Sequence, residues 1–401
     1  MLRHGVPRLV GAAIAATAML AAYGAPASAA ASSDQTIRSV IDYYRQNPGC
    51  SRAAILVGTN ISGAESIYGG GLVNFPDGHA EFAGPETTFQ IGSIAKTFTA
   101  TIYAQMLAEG RIAANQPVKA YLPAGTAVPS YRDPDSGETV EITIDQLARH
   151  TSGLPRQQAQ AAYPYSDDRM LSSLERVTLR TRPGTKYVYS NLGTALLAKA
   201  LEHVSGQSLA DLVESRITRP MGLAHTRFFS ENDPNLPTGI DRADRPADPV
   251  LSTWPAYEGS GGLVSSLGDM MRFLAANMNR APKDGPVTGV LDRLQAWQSV
   301  PCATQLEGGQ GCPSIDTGLA WSRLRSKVPG LSTIWKNGMT KGFSSWIGFV
   351  DAEGSPASNS GVVVLANQSS CPVGPLAACV LASINERPLA PTCLPPVKVG
   401  Q

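Results

Sequence analysis

The sequence predicts an α+β fold in which one sheet is built from both ends of the chain and is flanked by helices. Strand patterns occur near the start, at residues 53–57, and return after about residue 249. Residues 111–238, between them, have helical periodicity interrupted by proline-containing loops. Strands at both chain ends with helices between them imply one sheet closed around an insertion. We therefore expect a mostly helical lobe inserted into a lobe that contains the sheet.

The elements before residue 111 follow from local periodicity and from glycine positions. Residues 35–44 have the period of a helix, and residues 53–57 form an apolar run typical of a buried strand. The glycine-rich residues 68–74 continue a strand pattern with tight turns. The next helix begins near Ser93 and ends near Gly110, which supplies a C-terminal cap.

The middle of the chain is predicted to be helical. Residues 144–148 begin a short helix that stops at His150. Because Thr-Ser-Gly-Leu-Pro follows this histidine, we interpret it as part of a structural turn and not as a catalytic residue. Residues 192–204 are a strong helix pattern capped by Gly206, and residues 209–217 predict a further helix.

The last third of the chain returns to strands. Residues 259–263, Gly-Ser-Gly-Gly-Leu, allow a close approach of the backbone to another element. Residues 267–278 are helical, and residues 373–385 close the chain as a helix. Four strand patterns lie between these helices, at residues 317–324, 332–336, 344–350 and 361–366.

These patterns predict a signal peptide and two lobes. Residues 1–31 form the signal peptide, residues 32–110 and 249–401 form the α/β lobe, and residues 111–248 form the helical lobe. About 370 mature residues are enough to bury a large core. The sequence does not indicate an oligomeric state.

The N-terminal segment predicts export. It begins with Arg3 and Arg8, continues through the apolar, alanine-rich residues 9–22 and reaches small residues that end at Ala31. The apolar run is too short for a membrane anchor, and no later stretch is apolar enough to cross a bilayer. We therefore expect a periplasmic or secreted protein without an integral membrane segment once the signal is removed.

Charge and histidine content argue against two classes of function. Cleavage after Ala31 removes two of the 33 basic residues, so that about one more acidic than basic residue remains. Such a balance does not favour nucleic acid as a partner. With five histidines and no His-Glu-x-x-His motif, a catalytic metal has little support, and we expect neither a metal nor another cofactor.

Six cysteines are typical of an oxidising compartment, where they form up to three disulfides. Six cysteines allow 15 pairings, so the sequence does not determine the connectivity. Proximity in the chain favours the pairs Cys302–Cys312 and Cys371–Cys379, which leaves Cys50 for Cys393.

Ser93 and Lys96 form the only Ser-x-x-Lys in the chain, and we expect the site to be organised around it. A helix carries residues three apart onto the same face, so the amine of Lys96 comes within reach of the Ser93 hydroxyl. A serine hydroxyl is a poor nucleophile at neutral pH and needs a neighbouring base. Lysine serves this purpose if burial or another cation lowers its pKa.

Tyr189 and Asn191 lie two residues apart in a near-extended stretch before a helix, so we expect both side chains to face one cleft. A tyrosine near two lysines is suited to carry the Ser93 proton, because positive charge lowers its pKa. The alternative is a tyrosine packed at the edge of a loop with its hydroxyl in water.

Lys336, Asn337 and Gly338 follow an apolar strand and precede another. A lysine there attracts a carboxylate, and Gly338 lets the backbone of a substrate lie along the strand edge. The backbone N–H of Met339, together with that of Ser93, is predicted to form an oxyanion hole.

Together, Ser93-Ile94-Ala95-Lys96, Tyr189-Ser190-Asn191 and Lys336-Asn337-Gly338 resemble the three motifs of the serine penicillin-recognising enzymes, in the form found in class C β-lactamases. The similarity spans about residues 89–350. Within the family, the sequence most resembles the AmpH-type carboxypeptidase/endopeptidases of the bacterial periplasm. This resemblance is based on the amino-acid sequences of residues 128–131, 154–156 and 259–273.

The resemblance implies a β-lactamase/transpeptidase-like fold, with an antiparallel sheet flanked by helices, a helical second lobe and the site between the two. It implies that Ser93 is the nucleophile and that Lys96 and Tyr189 transfer protons. It further implies that Asn191 contacts a substrate amide and that Lys336 gives electrostatic support.

Two positions depart from the family pattern. Asn337 stands where penicillin-binding members usually have threonine, and Lys341 lies in a turn where relatives often have small residues. Asn337 still donates hydrogen bonds to a substrate carboxylate. The departures therefore concern the substrate more than the chemistry.

Four functions remain open at this point. The first is a D-alanyl-D-alanine carboxypeptidase/endopeptidase that acts on peptidoglycan peptides and binds β-lactams, and the second is a class C-type β-lactamase. The third, an esterase or D-amino-acid amidase, is disfavoured by Lys336, because a cation there favours substrates that bear a carboxylate. The fourth is a sensor of β-lactams or cell wall that has lost turnover.

Overall fold

The computed structural model describes residues 33–157, 166–179, 181–230, 233–247, 255–303, 314–325, 332–351 and 360–394. The predicted signal peptide, residues 1–31, and the predicted lobe boundary at residue 249 lie outside these ranges. The division of the chain into a helical and an α/β lobe stays a prediction.

Strands occur throughout the described chain and helices lie between them. The strands are β1 (Ile55–Ile61), β2 (Ala64–Gly70), β3 (Leu72–Asn74), β4 (Ala80–Phe82), β5 (Thr88–Gln90), β6 (Tyr131–Arg132), β7 (Thr139–Val140), β8 (Arg227–Phe228), β9 (Gly239–Ile240), β10 (Pro246–Ala247), β11 (Leu263–Ser266), β12 (Gln298–Pro301), β13 (Ser314–Thr317), β14 (Ser322–Leu324), β15 (Ser332–Met339), β16 (Ser344–Asp351) and β17 (Ser360–Ala366). The α-helices are α1 (Ser33–Arg45), α2 (Ala95–Ala108), α3 (Ile144–Ala148), α4 (Asp167–Ser173), α5 (Asn191–Ser205), α6 (Leu209–Val213), α7 (Arg219–Met221), α8 (Glu258–Gly261), α9 (Leu267–Asn277), α10 (Leu291–Leu294) and α11 (Val373–Ile384).

Eight of the described strands form one antiparallel sheet, in the order β12-β13-β14-β15-β16-β17-β1-β2. The first strand, β1, lies between its hairpin partner β2 and the last strand, β17. Ile55 pairs with Ala366 at one end of the β1–β17 register, and Ile61 pairs with Ser360 at the other. The predicted α+β fold, with a sheet built from both chain ends, is therefore confirmed.

Helices cover both faces of this sheet, as β17 illustrates. All seven of its residues are buried, and successive side chains point to opposite faces. Val362 and Val364 join the apolar cluster that contains α1 and α11, whereas Val363 and Leu365 join the cluster that contains α2 and α9. A strand covered on both faces has a continuous apolar run, which is the pattern that the sequence shows at residues 361–366.

Serine side chains cap two of the predicted helices. Ser190 Oγ accepts a hydrogen bond from the Gly193 N–H at 2.8 Å, in front of α5. Ser266 Oγ accepts one from the Asp269 N–H at 3.2 Å, in front of α9. At the other end of α5, Gly206 has a φ of 72°, which is the left-handed conformation of a glycine cap. The predicted cap at this position is confirmed.

The helix predicted over residues 209–217 is interrupted in the structure. α6 ends at Val213, a π-helical turn follows over Glu214–Thr218, and α7 continues to Met221. Pro220 is the second residue of α7. A proline is tolerated in a first turn, where its missing N–H costs little, so the helical path continues through it.

The single strand predicted over residues 317–324 is wrong. β13 ends at Thr317, and β14 begins at Ser322. Between them Ala320 has a φ of 62°, and the Gly318 N–H donates to the Trp321 carbonyl at 2.9 Å. These residues reverse the chain, so the segment forms a hairpin.

The predicted disulfide pairing is wrong for four of the cysteines. Cys50 is bonded to Cys371, and Cys379 is bonded to Cys393. The prediction paired Cys371 with Cys379 because they are close in the sequence. Cys379 instead lies more than a turn inside α11, and a disulfide requires Cα atoms within about 7 Å of each other.

Tertiary contacts explain the observed pairing. The turn that contains Gly49 packs against the segment after β17, where Ser370 Oγ donates to the Gly49 carbonyl at 2.9 Å. The buried side of α11 presents Cys379 to the segment that follows the helix. Cys302 is also disulfide-bonded, and its predicted partner, Cys312, lies outside the described residues.

Among the helices in the described ranges, none has the length and apolar character needed to span a bilayer.

Candidate active site

Ser93 lies in a 3₁₀ turn, Gly92–Ile94, that leads directly into α2. The prediction placed it in the first turn of the α-helix. The consequence for Lys96 is the same, because residues three apart are eclipsed in a 3₁₀ turn. All residues of α2 from Ala95 to Ala104 are buried, so this helix is surrounded by the rest of the protein and holds the turn rigidly.

Lys96 is fully buried and touches Ser93. Its Nζ donates to Ser93 Oγ at 3.2 Å and also donates to the backbone carbonyl of Ser260. Burial lowers the pKa of Lys96 well below its usual value, and the positive charges of Lys336 and Arg156 lower it further. This environment therefore favours the neutral amine of Lys96 more than water does.

The Ser260 carbonyl is a contact that the sequence analysis did not assign, although it predicted a close backbone approach at residues 259–263. The approach occurs at Gly259 in α8, where a Cβ would lie 2.7 Å from the Ala198 Cβ of α5. The Gly259 carbonyl also accepts a hydrogen bond from Thr99 Oγ1 of α2 at 2.8 Å. The glycine therefore lets α8 lie close enough to bring the Ser260 carbonyl to Lys96.

Tyr189, which is 96 residues further along the chain, also contacts Ser93 Oγ. Its Oη donates to Ser93 Oγ at 2.6 Å. The tyrosine is held in the segment before α5, whose N-terminus is capped by Ser190. The structure thus brings Ser93, Lys96 and Tyr189 into mutual contact, as proton transfer between them would require.

Asn191 is the first residue of α5, two positions beyond Tyr189. It is half-buried, and its Oδ1 has no hydrogen-bond partner within the described part of the chain. A buried amide oxygen without a partner is costly, so this atom is available to a substrate N–H. A role in contacting a substrate amide stays a prediction.

Three cations surround the ring of Tyr189. The Nζ atoms of Lys336 and Lys96 lie 4.7 Å and 5.2 Å from the ring centroid, and the Cζ atom of Arg156 lies 5.1 Å from it. Such distances are those of cation–π contacts. The positive charge also stabilises any negative charge that develops on the phenol oxygen. The sequence predicts roles for the two lysines and none for Arg156.

Lys336, Asn337 and Gly338 lie inside β15, whereas the strand was predicted to end at residue 336. Pairing with β16 extends it, as far as the Met339–Ser344 pair. Lys336 is buried and Asn337 is exposed, as expected for neighbours on opposite faces of a strand. The assignment of Asn337 to substrate binding stays a prediction.

Gly338 and Gly92 bring β15 against the turn that carries Ser93. A Cβ on Gly338 would lie 1.9 Å from the Ile91 carbonyl oxygen, and one on Gly92 would lie 2.7 Å from the Met339 nitrogen. The strand and the turn are therefore in direct backbone contact. This arrangement places the backbone nitrogen of Met339 beside the Ser93 turn, where the two N–H groups of the predicted oxyanion hole are needed.

His150 lies in a turn, as predicted, and it also packs against the site. Its φ is 59° and its side chain is buried. Nδ1 accepts a hydrogen bond from the Ser190 N–H at 3.3 Å, and the ring centroid lies 4.5 Å from that of Tyr189. Burial lowers the pKa of His150 well below its usual value, and the nearby positive charges, including Lys336, add to this effect. The Nδ1 atom that accepts from Ser190 carries no proton, and the imidazole packs against the Tyr189 ring.

Comparisons with known proteins show which family the chain belongs to. A protein-family model described as "Beta-lactamase" matches residues 63–378. The chain is 30% identical over 294 residues to the D-alanyl-D-alanine-carboxypeptidase/endopeptidase AmpH of Escherichia coli K12, an alignment that covers 71% of this chain and 72% of the relative. It is 26% identical to a beta-lactamase of Pseudomonas fluorescens over 71% of this chain and 80% of the relative.

A solved structure has the same fold. It is a beta-lactamase/D-alanine carboxypeptidase from Pseudomonas syringae, to which the chain is similar with a TM-score of 0.71 and 20% sequence identity. The superposition covers 88% of this chain and 98% of the other. At this level of identity, the likeness establishes the fold.

Proposed function

Since the chain belongs to the beta-lactamase family and is a serine hydrolase, we propose that it acts as a D-alanyl-D-alanine carboxypeptidase/endopeptidase on peptidoglycan peptides. One observation carries the proposal. Tyr189 Oη and Lys96 Nζ converge on Ser93 Oγ at 2.6 Å and 3.2 Å. The similarity to the carboxypeptidase/endopeptidase AmpH of Escherichia coli K12, at 30% identity, supports the choice of substrate.

In the acylation step, Ser93 Oγ attacks the carbonyl carbon of the penultimate D-alanine. Its proton passes to whichever of Lys96 and Tyr189 is unprotonated, and the lowered pKa of Lys96 makes the neutral amine accessible. The oxyanion accepts hydrogen bonds from the N–H groups of Ser93 and Met339. When the intermediate collapses, the C–N bond breaks and Tyr189 delivers a proton to the leaving amine.

In the deacylation step, water attacks the ester carbon of the acyl-enzyme. Tyr189 or Lys96 takes a proton from this water, and the Ser93 oxygen leaves and regains a proton. The same groups therefore serve both steps, in opposite directions. The lifetime of the ester decides whether a β-lactam is an inhibitor or a substrate.

Binding of the peptide involves the remaining residues of the site. Lys336 attracts the C-terminal carboxylate of the substrate, with Asn337 as an additional donor. The unpartnered Oδ1 of Asn191 accepts the N–H of the substrate amide. The edge of β15 at Gly338 and Met339 receives the substrate backbone.

We test this function by intact-mass measurement with benzylpenicillin, and by release of D-alanine from an N-acetylated peptide that ends in D-Ala-D-Ala. We expect an adduct that persists for many minutes, together with release of D-alanine. Both should be absent in Ser93→Ala, while the melting temperature stays near that of the natural protein. Release of D-alanine by the Ser93→Ala variant at the normal rate would contradict the mechanism.

A β-lactamase is the second candidate, because the chain is similar to a Pseudomonas fluorescens beta-lactamase over most of its length. The same measurement separates the two functions. An adduct that disappears as the antibiotic is consumed, without release of D-alanine from the peptide, would replace the peptidase by the β-lactamase.

We also propose that the protein is exported. The basic, apolar and small-residue regions of residues 1–31 support a signal peptide, and the two described disulfides support an oxidising compartment. N-terminal sequencing of the protein recovered outside the cytoplasm should begin just after Ala31. A start at Met1 would contradict the proposal.

A further inference from the structure

Hydrogen bonds to its backbone carbonyl fix Arg156 against the N-terminus of α5. Its carbonyl accepts the N–H groups of Asn191 at 2.9 Å and Leu192 at 3.2 Å, which are among the free donors at the N-terminus of α5. Tyr189 lies two residues before Asn191, so the position of this helix terminus also fixes Tyr189. The main chain of Arg156 and the catalytic tyrosine therefore share one rigid support.

The guanidinium of Arg156 lies over the Tyr189 ring. Its Cζ is 5.1 Å from the ring centroid, and the residue is exposed. The ion pairs within the described part of the chain do not include Arg156. A guanidinium that stacks on a ring with one face still presents its N–H edge, and this edge matches a carboxylate in a bidentate geometry.

Arg156 is one of three basic side chains around the Tyr189 ring. The charged groups that lower the pKa of the buried Lys96 are Lys336 and Arg156, both positive. Lys96 itself contacts Ser93, and Lys336 is assigned above to the C-terminal carboxylate of the substrate. The mechanism assigns no role to the charge of Arg156, although its Cζ lies 5.1 Å from the Tyr189 ring centroid, between the distances of Lys336 (4.7 Å) and Lys96 (5.2 Å).

From this geometry we propose that Arg156 binds a second carboxylate of the substrate, on the acyl side of the scissile bond. The preferred peptides would then carry a side-chain carboxylate on the residue before D-Ala-D-Ala, in addition to the terminal one. Arg156 lies between α3 and α4, and its carbonyl accepts the N–H of Asn191, whereas Lys336 lies on β15. We assign Arg156 to the acyl side because Asn191, beside it, is assigned above to the substrate amide. The inference rests on the proposed peptidase function and narrows its substrate class.

A purely structural role is the competing explanation. In that case Arg156 would only hold the Tyr189 ring, and its removal would slow all substrates by the same factor. The two roles differ in their effect on the ratio between charged and neutral substrates, which is the quantity to measure.

The test compares kcat/KM for three peptides, N-acetyl-Glu-D-Ala-D-Ala, its isosteric glutamine analogue and its lysine analogue. For the natural protein we expect a preference of about tenfold or more for glutamate over glutamine, because hydrogen bonds to charged groups are strong. In Arg156→Gln the ratio should fall to near one. In Arg156→Glu the lysine peptide should become the best of the three.

Arg111→Gln is the matched control, because it removes the same charge beyond the far end of α2, where Arg111 donates to the Val204 carbonyl. It should keep the preference for glutamate. A natural protein that cleaves all three peptides without preference would overturn the inference and leave the peptidase function intact. So would an equal loss on all three peptides in Arg156→Glu. If the natural protein cleaves no peptide, the proposed function fails, and the inference fails with it.

Discussion

Ser93 Oγ receives two hydrogen bonds, and the chemistry of the site depends on the environment of the two donors. Lys96 is buried at 0% exposure and has only positive charges for neighbours in the described site, so its protonated form is destabilised. Tyr189 has the opposite situation, since cations near its ring favour negative charge on its oxygen. Both environments favour the proton exchange with Ser93 that we propose for Lys96 and Tyr189.

Tyr189→Phe should lower the rate of acylation by benzylpenicillin by a factor of about 10² to 10⁴, the usual contribution of a general acid or base. The ring would stay in place against His150, with which it already packs at 4.5 Å, so the melting temperature should be unchanged. Tyr187→Phe removes a hydroxyl two residues away and is the matched control. Equal rate losses in the two variants would argue against proton transfer by Tyr189.

His150 should make the stability of the protein depend on pH. Its pKa in the folded protein lies well below 6.5, the value for a free histidine. Below pH 6.5 the unfolded chain therefore binds a proton that the folded chain does not, and the free energy of unfolding decreases as the pH falls. The slope from one such group is about 1.4 kcal/mol per pH unit.

The measurement is chemical denaturation of the natural protein and of His150→Asn between pH 7 and pH 5. Asparagine tolerates the left-handed backbone at this position, where φ is 59°, and its side chain retains an acceptor for the Ser190 N–H. In His150→Asn, the slope of the free energy of unfolding against pH should be smaller by about 1.4 kcal/mol per pH unit, the contribution of one proton. Identical slopes in the two proteins would show that His150 does not titrate on unfolding.

At the scale of elements, the site depends on how closely β15 lies against the turn before α2. Ser345 Oγ on β16 donates to the Ile91 carbonyl at 2.8 Å, which fixes the turn to the sheet. Gly338 faces the same carbonyl and leaves no room for a side chain. The proposed oxyanion hole thus depends on backbone packing between two elements, and only glycine permits that packing.

Gly338→Ala should therefore reduce both stability and activity. The new Cβ would lie 1.9 Å from the Ile91 carbonyl oxygen, so β15 must move away from Ser93. We expect a loss of about 1–3 kcal/mol in the free energy of unfolding, as for overpacked cores, and slower acylation. Gly84→Ala is the control, since nothing lies within 4 Å of its Cβ. Similar losses in the two variants would mean that the contact at Gly338 is unimportant.

At the scale of the whole molecule, two disulfides close loops of very different length. The Cys50–Cys371 bond joins the segment before β1 to the segment after β17, with a sequence separation of 321 residues. The Cys379–Cys393 bond ties α11 to the segment that follows it, with a separation of 14. In the chain-entropy model, a longer loop restricts the unfolded chain more.

Removal of the two bonds should consequently have unequal effects. We expect the free energy of unfolding to fall by about 3 kcal/mol in Cys379→Ala/Cys393→Ala and by about 5 kcal/mol or more in Cys50→Ala/Cys371→Ala. Guanidinium chloride unfolding of both double variants under non-reducing conditions measures this difference. A larger loss for the short loop would show that native packing around α11, and not loop length, decides the effect.

Local sequence signals determined most of the elements and the main residues of the site. The helix over residues 144–148, the glycine cap of α5 and the buried strand β17 each follow from a pattern within a few residues. Ser93 and Lys96 could be paired from their spacing, because a helical turn is a local structure. Tyr189 and Lys336 could be added from the order of the motifs and the family resemblance. In the structure, Lys96 and Tyr189 donate to Ser93 Oγ, and Lys336 lies over the Tyr189 ring.

Tertiary structure alone decided the rest, because the contacts involved have no signature in side-chain spacing. A backbone carbonyl, that of Ser260, accepts from Lys96, and any residue type could supply it. Arg156 becomes part of the site only because its carbonyl meets the N-terminus of α5, which folds from a separate stretch of sequence. The pairing of Cys50 with Cys371 likewise depends on β1 and β17 being neighbours in the sheet, a proximity that 321 residues of separation conceal.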